Sequence, residues 1–587
     1  MSEPSAPELD LRYHGRMPPE ISPLFNTLSY DLRGRFNDFV SEISLPHITN
    51  LDWWVTGPPS RNTLASPFFH YYCSLHLVQR LLDERKFTFE RIVVDSRALK
   101  GVIAAMLGDA GIANCRVRYA SGAGGSVKGL LKRVVGTPVL VARKGIQCLI
   151  ARVTRRASGA APPASGMVVI DTFVTPAYAT SDRWYGSLWD NLTAELKAET
   201  FFAPTLVLTP LWSMYSVYRR LRTSARQVLI KEDYLGLGDL WFAARHGRRI
   251  SRISVAPIMV SGHDISRLVK EELASNRDPL TTIESLLTYR FIKRLKQHGV
   301  EVRLAIDWFE GQVIDKAWNL GFKRYFPAVQ TIGYRAFEGS PFYLCSYPIP
   351  IERSAGVIPD TIAVQGKGTI ATVREFLPDL DVMVIPSFKS QHVWSHGHAA
   401  SPATFTVLVA LPISLHASVR IVEQIIGIVE SLGAADRDVR VVVKPHPTAS
   451  AERLREMLRV EPPARVAFTT EKSLPRLLDQ SHVLVTEASS SCLEALACGV
   501  PVVIVENREG LTYDPVPATV SAALYRRAST NTELASALTH YMNWPREDAQ
   551  RQRQQSLEIR AAYFEPITRE GIDRFMRIEP QRQTPNA

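Results

Sequence analysis

Short apolar strands alternate with helices over the last third of the chain, and no other sequence feature constrains the fold as strongly. Strands are predicted at 404–411, 439–443, 465–468, 482–485 and 501–505, and helices at 418–432, 451–458, 474–478 and 491–498. Short strands that are apolar throughout and separated by helices form parallel sheets covered on both faces. The pattern therefore predicts a Rossmann-like domain.

The first two-thirds of the chain shows a similar but less regular alternation. Strands are predicted at 91–95, 167–171, 205–209, 302–307, 331–334 and 361–364, with helices such as 76–82 and 283–298 between them. We therefore predict an α/β protein of two Rossmann-like domains with parallel sheets facing across a cleft. The predicted parts are an N-terminal Rossmann-like domain (1–385), a linker (386–403), a C-terminal Rossmann-like domain (404–545) and a helical tail (546–587) that crosses back.

The net charge of +11 is concentrated in one segment. Between Ala110 and Ile170 there is no acidic residue, and the basic residues there are Arg116, Arg118, Lys128, Lys132, Arg133, Arg143, Lys144, Arg152, Arg155 and Arg156. Gly-, Ser- and Pro-rich stretches flank the segment, so an insertion is predicted at about 116–163. Nucleic-acid binding is disfavoured, because no recognised motif is present and the charge is confined to this segment.

The cations of 116–156 alternate with apolar runs, which suits the anionic inner face of a membrane at about 1 kcal/mol per cation near the surface. A solvated, mobile insertion is the alternative. The N-terminal sequence has no apolar core typical of a secretory signal, and no run of 18 apolar residues predicts a membrane-spanning helix. The predicted location is the cytoplasm, with a peripheral position at the inner face of the cytoplasmic membrane as an extension of that prediction.

Two polar motifs follow predicted strands of the second domain. Lys444-Pro445-His446-Pro447 places a cation and an imidazole between prolines, which suits a phosphate, although the motif could also simply end a strand and begin a helix. The segment TEASSSCLEA brings hydroxyls to the start of a helix, where free N–H groups bind anions. A capping box from Ser491 to Glu494 is the structural alternative there. The predicted donor contacts are Ser414, Lys444, His446, Glu487, Ser489, Ser490 and Ser491.

KPHP followed by TEASSSCLEALACGVPVVIV resembles the donor-nucleotide half of GT-B-fold glycosyltransferases. Within that fold, a His-Pro motif followed by a Ser-Ser motif is similar to bacterial sialyltransferases, polysialyltransferases and capsule Kdo transferases, and CDP-glycerol glycerophosphotransferases show a related pattern. In those families the His and Ser groups hold the phosphate of a cytidine nucleotide. The resemblance implies the same role for His446 and for Ser489–Ser491.

A third motif, IDWFEGQ, ends a predicted strand of the first domain. Sialyltransferases of this kind carry an acidic-acidic-Gly motif whose carboxylate is the general base, and this chain has Phe309-Glu310-Gly311, with one acidic position missing. The resemblance implies that Glu310 takes the proton from an acceptor hydroxyl. Asp307 is the alternative base, and a capping role for Glu310 at the helix beginning near Val313 is the structural alternative.

WWVTGPPSRNTLASPFFH and WFEGQVIDKAWNLGFKRYFPAVQTIGYRAF resemble a group of surface-carbohydrate biosynthesis proteins. Arg61 and Asn62, in a loop rich in Pro and Ser, are candidate contacts to an anionic sugar or a lipid-linked acceptor. The alternative is that both residues only structure the loop.

Three further patterns give no site. The D-x-D of Asp379-Leu380-Asp381 is attributed to chance, because it precedes a strand near the linker. His392, His396 and His398 lack a Cys or carboxylate at ligand spacing, so no metal site is predicted. No Walker motif and no strand-GxGxxG-helix is present, and no cofactor is expected.

These features predict a metal-independent, inverting glycosyltransferase of capsule, O-antigen or lipopolysaccharide biosynthesis. The favoured donor is a CMP-activated acidic sugar such as Kdo or a sialic-type sugar, and the acceptor is a glycan or a lipid-linked glycan. The alternatives are a CDP-glycerol glycerophosphotransferase, a UDP-sugar-dependent glycosyltransferase, a nucleotide-sugar 2-epimerase and a non-catalytic assembly protein docked on a membrane.

Overall fold

Two six-stranded, fully parallel sheets form the framework of the protein. The computed structural model describes residues 7–120, 127–158, 166–395, 404–432, 438–446, 451–471 and 473–578. The strands of the first part of the chain are β1 (Glu8–Asp10), β2 (Arg91–Val94), β3 (Arg116–Tyr119), β4 (Met167–Val174), β5 (Thr200–Leu206), β6 (Met259–Val260), β7 (His263–Asp264), β8 (Val302–Trp308), β9 (Gln330–Arg335), β10 (Thr361–Val364) and β11 (Asp381–Val384). Those of the second part are β12 (Thr404–Ala410), β13 (Asp438–Lys444), β14 (Val466–Phe468), β15 (Val483–Thr486), β16 (Val502–Val505) and β17 (Tyr525–Ala528).

Helices cover the sheets. Those of the first part are α1 (Ser22–Asp31), α2 (Arg33–Ser44), α3 (Leu51–Trp54), α4 (Gly57–Ser60), α5 (Phe68–Asp83), α6 (Arg97–Asp109), α7 (Val127–Ser158), α8 (Leu188–Asn191), α9 (Ala194–Glu199), α10 (Leu211–Arg222), α11 (Leu237–Ala244), α12 (His246–Ile250), α13 (Ser266–Ser275), α14 (Pro279–Gln297), α15 (Val313–Tyr325), α16 (Pro350–Ala355), α17 (Ile370–Val373) and α18 (His392–Ser395). The remaining helices are α19 (Leu415–Leu432), α20 (Ala451–Met457), α21 (Leu474–Asp479), α22 (Ser491–Ala497), α23 (Asn531–Met542), α24 (Arg546–Tyr563) and α25 (Arg569–Phe575).

Both large sheets contain a point at which the chain changes direction across the sheet. In the second sheet the order is β14-β13-β12-β15-β16-β17, so the chain leaves β12 first to one side and later to the other. In the first sheet the order is β11-β10-β9-β8-β4-β5, and the corresponding point lies between β4 and β8. Ligands of open α/β sheets bind in the crevice at such points. The predicted α/β class with two Rossmann-like parallel sheets is confirmed.

The predicted strand at 205–209 is displaced, because β5 runs from Thr200 to Leu206 and includes Pro204. Proline lacks the N–H that a residue of a central strand donates to a neighbouring strand, so it is disfavoured in the middle of a sheet. β5 is the edge strand of its sheet, and an edge strand tolerates proline because one side of its backbone needs no partner strand.

The described part of the basic segment is not a solvated insertion. β3 pairs with β2 in a separate three-stranded sheet, and α7 packs against α10, α11 and α14. Lys144 of α7 is buried and forms ion pairs with Glu284 and Glu232. Arg143 donates to the carbonyl of Thr209 at 2.7 Å. These partners lie far away in sequence, so composition alone could not reveal that the segment is integral to the first domain.

Substitution of Lys144 by Met should destabilise the protein by about 3–5 kcal/mol, since it leaves Glu232 and Glu284 buried beside a neutral side chain. Urea denaturation measures this free energy of unfolding. Arg155→Ala removes an exposed cation from the same helix and should change stability by about 0.5 kcal/mol or less. Equal, small effects of the two substitutions would mean that α7 is not packed as described.

The tail contacts both domains. In α24, Arg560 donates to the carbonyl of Ala497 at the end of α22, at 2.8 Å. Beyond α24, the N–H of Glu565 donates to the carbonyl of Gln365 at 2.6 Å, and Phe575 of α25 lies in the core of the first sheet. No described helix is long and apolar enough to cross a membrane.

Candidate functional site

The second-domain motifs meet at the edge where its strands end. Lys444 is the last residue of β13, and His446 lies two residues further. Ser414 follows β12, is exposed, and accepts a hydrogen bond from the N–H of Ala417 at 3.4 Å, so it lies at the start of α19. Pro447 lies outside the described residues.

The serine run lies at the start of α22, beside the crevice between β12 and β15. The hydroxyls of Ser489 and Ser491 are 2.7 Å apart, and Ser490, which directly precedes the helix, makes no side-chain capping bond. The alternative of a capping box is wrong, because Glu494 instead lies 3.0 Å from Nε2 of His392. The helix start therefore presents hydroxyl groups rather than a closed cap.

Positive charge from both domains converges on this edge. Arg183, in the loop after β4 of the first domain, is close enough to Lys444 and His446 for its charge to lower the pKa of both side chains. Burial is the larger cause in each case, and together with Arg183 and Lys444 it lowers the pKa of His446 to about 4. His446 is therefore neutral at pH 7. A set of cations held together in this way is suited to a phosphate group.

Lys389, in the predicted linker, belongs to the same cluster. Burial lowers its pKa and Arg183 acts in the same direction, whereas the nearby Glu494 and Glu310 raise it. Its ammonium lies 5.3 Å from the ring centroid of Trp308, which places it over the end of β8. Lys389 therefore connects the cations of the second domain to Glu310 of the first.

The loop that carries Arg183 is held in place by Asp182. The carboxylate of Asp182 accepts hydrogen bonds from the N–H groups of Trp184 at 2.7 Å and Tyr185 at 2.9 Å, and from Arg226 at 3.0 Å. On the far side of this loop, Ser187 donates to the carbonyl of Phe388, next to Lys389. The loop thus brings Arg183 and Lys389 together.

Glu310 lies directly after β8, at the switch point of the first sheet. Its carboxylate accepts hydrogen bonds from Nε1 of Trp308 at 2.7 Å, from Nε2 of Gln312 at 2.6 Å and from the hydroxyl of Tyr343 at 3.3 Å. The side chain is partly exposed. Three donors hold a carboxylate that remains accessible to a reactant.

The turn after β8 shows why Glu310 is available. Asp315 of α15 accepts from the N–H groups of Glu310 and Gln312, both at 2.9 Å, so Asp315 and not Glu310 closes the start of the helix. Gly311 has φ +74°, and a Cβ there would collide with the carbonyl of Cys345. Only glycine fits this position, which accounts for the Gly of the Phe-Glu-Gly motif.

Asp307, the alternative base, cannot meet an acceptor. Its side chain is fully buried in the first sheet, where it accepts a hydrogen bond from Asn319 at 3.0 Å. Burial, together with the charges of Asp315 and Asp171, raises the pKa of Asp307 well above its usual value. The prediction of Asp307 as a base is therefore wrong, because Asp307 lies within β8, whose end is buried on both faces, whereas Glu310 follows the strand and is partly exposed.

Arg61 is also an internal residue. It is 2% exposed, and its guanidinium pairs with Glu352 at 2.6 Å and donates to Asn37 and to two backbone carbonyls. The predicted acceptor contact by Arg61 is wrong, and the loop-structuring alternative is correct. Glu487 is buried as well and pairs with Arg420 at 2.6 Å, so its carboxylate positions α19 rather than facing a phosphate.

Asn62 lies in a different environment from Arg61. It lines a cavity in the first domain, whose wall also contains Glu272, Arg277 and Gln312. Gln312 is the residue that donates to Glu310, so this cavity, which we name the acceptor-side cavity, adjoins the candidate base.

The other predicted patterns lie away from the cleft or outside the described residues. Asp381 begins β11, so it lies at the amino edge of the sheet, and Asp379 pairs with Arg353 at 2.9 Å. His396 and His398 lie outside the described residues. Within the described ranges, no group of three His, Cys, Asp or Glu residues could hold a metal ion.

Arg183 and Lys389 were not predicted from the sequence. The available signal was positional: Arg183 follows a predicted parallel strand, where ligand-binding side chains are expected. The strand was predicted to end at Asp171 and in fact continues to Val174. The loop that carries Arg183 was therefore not predicted to lie at a strand end. Lys389 lies in a segment that sequence reasoning treated only as a linker.

Comparisons with known proteins show no family for this chain. No protein-family model matches the chain, and no curated protein matches it. Among solved structures, similar chains include an S. aureus MnaA-UDP complex (11% identity, 70% of this chain and 95% of that chain, TM-score 0.42). Another is a trehalose 6-phosphate synthase from Burkholderia multivorans (12% identity, 71% of this chain and 96% of that chain, TM-score 0.39). A third is the calicheamicin glycosyltransferase CalG4 (12% identity, 71% of this chain and 100% of that chain, TM-score 0.39). Such low scores do not establish shared chemistry, so function has to be inferred from the cleft itself.

The low pKa of His446 gives a direct test of the cation cluster. In the ligand-free protein its imidazole should titrate near pH 4, and Arg183→Gln should move the midpoint upward, toward the ordinary value of 6.5, by removing a nearby positive charge. Between pH 6.5 and 4 the unfolded chain binds a proton at His446 that the folded chain does not, so this residue lowers stability as the pH falls through that window.

Histidine NMR resonances measured against pH report this midpoint. Arg80→Gln, which changes an exposed arginine of α5, is the matched control and should leave the midpoint unchanged. A wild-type midpoint near 6.5, or no response to Arg183→Gln, would contradict the proximity of the two residues.

Proposed function

We propose that the protein is an inverting, metal-independent glycosyltransferase of bacterial surface-polysaccharide biosynthesis that uses a CMP-activated acidic sugar. One observation carries this proposal. Arg183 of the first domain joins Lys444 and His446 of the second at the edge where both sheets carry their switch points, beside the accessible carboxylate of Glu310. Transfer from a sugar nucleotide requires a site that stabilises the departing phosphate and a base that takes the proton of the acceptor hydroxyl.

In the proposed mechanism, the acceptor hydroxyl gives its proton to Glu310 as its oxygen attacks the anomeric carbon of the donor. The bond from that carbon to the phosphate oxygen breaks, and the nucleotide departs with both electrons of the bond. Lys444 and Arg183 stabilise the negative charge that grows on the phosphate, and neutral His446 donates an N–H to it. Ser489 to Ser491 add hydroxyl contacts, with Ser414 across the crevice.

The acceptor is proposed to enter from the acceptor-side cavity. Asn62 and Gln312 both line it, and Gln312 links the cavity wall to Glu310 through a hydrogen bond of 2.6 Å. A hydroxyl placed against Gln312 would therefore lie beside the proposed base. This keeps Asn62 as an acceptor contact and leaves Arg61 with its structural role.

Glu310→Gln should lower kcat of sugar transfer by about 10²- to 10⁴-fold, because it removes the base while retaining most of the hydrogen bonds. His446→Ala should weaken donor binding and lower kcat together. Asp379→Asn changes an exposed carboxylate at the opposite edge of the sheet and should have no effect. Release of nucleotide from a donor panel that includes CMP-Kdo, CMP-sialic acid, CDP-glycerol and UDP-sugars provides the measurement.

The panel also separates the alternatives. If only UDP-sugars were turned over, the assignment of a cytidine donor would be rejected in favour of a uridine donor. Turnover of CDP-glycerol would indicate a glycerophosphotransferase. Conversion of a nucleotide sugar without any acceptor would indicate an epimerase. Full transfer by both Glu310→Gln and His446→Ala would reject the assignment of the site.

We further propose a peripheral position at an anionic membrane, through a surface that combines part of the predicted segment 116–156 with the helices α10 and α11. The docking face consists of exposed apolar side chains on the three helices α7, α10 and α11 and on the loop before α10: Val139, Ile146, Leu149, Val153, Leu208, Leu211, Trp212, Tyr215, Leu237 and Trp241. α7 packs against both α10 and α11, so the three faces adjoin. Trp212 is 85% exposed, Leu237 86% and Trp241 63%.

The distribution of charge supports an anionic membrane as the occupant of the docking face. Exposed arginines accompany the apolar residues, among them Arg152, Arg219 and Arg245. The only acidic residue of α7, α10 and α11 is Asp239, which is buried between Arg290 and Arg294. Exposed tryptophan and leucine flanked by arginine, without exposed carboxylates, complement the interface of an anionic bilayer.

The double substitution Trp212→Ser and Trp241→Ser should reduce binding to vesicles of phosphatidylglycerol and phosphatidylcholine by about 10-fold or more, since both indoles leave the interface. Flotation of vesicles without nucleotide measures this independently of transfer. Leu557→Ser removes an exposed leucine of α24 and should not change binding. The proposal would be contradicted if the wild-type protein did not bind anionic vesicles, or if the double variant bound them as well as the wild type.

A further inference from the structure

A second polar cavity lies between the domains and is not used by the mechanism above. Its wall contains Arg335 from the end of β9, Gln365 directly after β10, Ser390, Ser490 and Tyr563. The wall thus combines the carboxyl edge of the first sheet, the segment after β11, the serine motif and the tail. We name it the interdomain cavity.

Arg335 brings an unused pair of donors to this cavity. The residue is 1% exposed, its Nη1 donates to the carbonyl of Ser346, and the rings of Phe337 and Tyr347 lie 5.2 and 5.7 Å from the guanidinium carbon. Among the described residues, neither Nε nor Nη2 of Arg335 has a hydrogen-bond partner. These two nitrogens lie on one edge of the guanidinium, the edge that binds a carboxylate with two parallel hydrogen bonds.

Gln365 adds an unused acceptor. It is 7% exposed, and its Oε1 is without a partner among the residues that the structure describes. Buried polar groups are nearly always satisfied, so three unsatisfied atoms of two buried side chains in the wall of one cavity point to a ligand that completes them. That ligand carries an anionic group for Arg335 and a hydroxyl for Gln365.

The charges of the wall favour a carboxylate over a phosphate. Glu338 lies 3.9 Å from Nη2 of Arg335, beyond hydrogen-bond distance, and accepts a hydrogen bond from Thr369. Glu494, also in the wall, is paired with His392. Because Glu338 already forms an ion pair with Arg335, a phosphate with two negative charges would be repelled more strongly than a single carboxylate, which matches the guanidinium edge that has no hydrogen-bond partner among the described residues.

We propose that the interdomain cavity binds the carboxylate of the donor sugar, with Nε and Nη2 of Arg335 donating to it and Oε1 of Gln365 accepting from a neighbouring sugar hydroxyl. This rests on the proposed function and assigns the acidic class of donor to particular residues. Ser490 belongs to the serine run that is proposed to contact the donor phosphate, so sugar and phosphate sites adjoin, as the two parts of one donor must.

Calorimetric titration of the full-length chain tests this assignment. The ligands are CMP, CMP-N-acetylneuraminic acid, UDP-glucose and UDP-glucuronic acid. Arg335→Lys keeps the charge but loses the two-donor edge, so it should weaken binding of the acidic sugar nucleotide by about 10- to 100-fold and leave CMP within about twofold. Arg353→Lys, at an exposed arginine paired with Asp379, is the matched control and should change neither.

Gln365→Leu provides a second variant of similar volume in case Arg335→Lys does not fold, as judged by circular dichroism. It should weaken only the sugar nucleotide, by about 3- to 10-fold. Equal losses for CMP and for the acidic sugar nucleotide, or no loss for either, would overturn the assignment.

The uridine pair distinguishes failure of the cavity assignment from failure of the cytidine donor. If CMP does not bind, a preference for UDP-glucuronic acid over UDP-glucose that Arg335→Lys abolishes would support the cavity and reject the cytidine donor. Binding of CMP without any gain from its acidic sugar would overturn the cavity and leave the transferase standing. Binding of none of the four ligands would overturn both.

Discussion

The parallel pairing of every strand in the two large sheets is the constraint on which the site depends. Parallel strands bring all their carboxyl ends to one edge of a sheet, so the residues after β4 and β8 meet at an edge of the first sheet and those after β13 and β15 at an edge of the second. Arg183 and Glu310 lie at the first edge and Lys444 with the serine run at the second, and the charge of Arg183 acts on Lys444 and His446 across the two. In an antiparallel sheet, the residues that follow successive strands would lie at opposite edges, and these side chains would not lie together.

Buried ionic contacts hold the elements behind this edge. Lys316 of α15 and Arg61 of the loop after α4 share the carboxylate of Glu352 in α16, at 2.8 and 2.6 Å. A buried ion pair contributes little net stability, but breaking it leaves an unpaired charge, so it fixes the position of its elements. α15 begins directly after the Glu310 turn, where Asp315 binds two backbone N–H groups. Both contacts hold the first turn of α15, and the candidate base does not have to cap the helix.

Much of the fold could be predicted from the sequence, because local patterns report local hydrogen bonding and burial. The strands β12, β13, β15 and β16 lie within a residue or two of their predicted bounds, since their runs of Val, Ile and Leu are apolar throughout. β17 (Tyr525–Ala528) was not predicted, because it contains two arginines and therefore lacks an apolar run. Such a strand is tolerated because it lies at the edge of its sheet. The packing of α7 was missed for another reason: the partners of Lys144 lie in α14 and in the segment after β5, beyond any local window.

The sequence by itself determined the α/β class, the placement of the Lys444, His446 and serine motifs at strand ends, and the glycine that the Glu310 turn requires. These properties follow from periodicity and backbone geometry within a few residues. Only the tertiary structure decided which charges converge and which are buried. It places Arg183 and Lys389 in the candidate site, where the sequence had not predicted them. It places Arg61, Asp307 and Glu487 in the interior, where they cannot contact a substrate. Desolvation and charge interaction depend on distances through space between elements from distant parts of the chain, and no local pattern contains those distances.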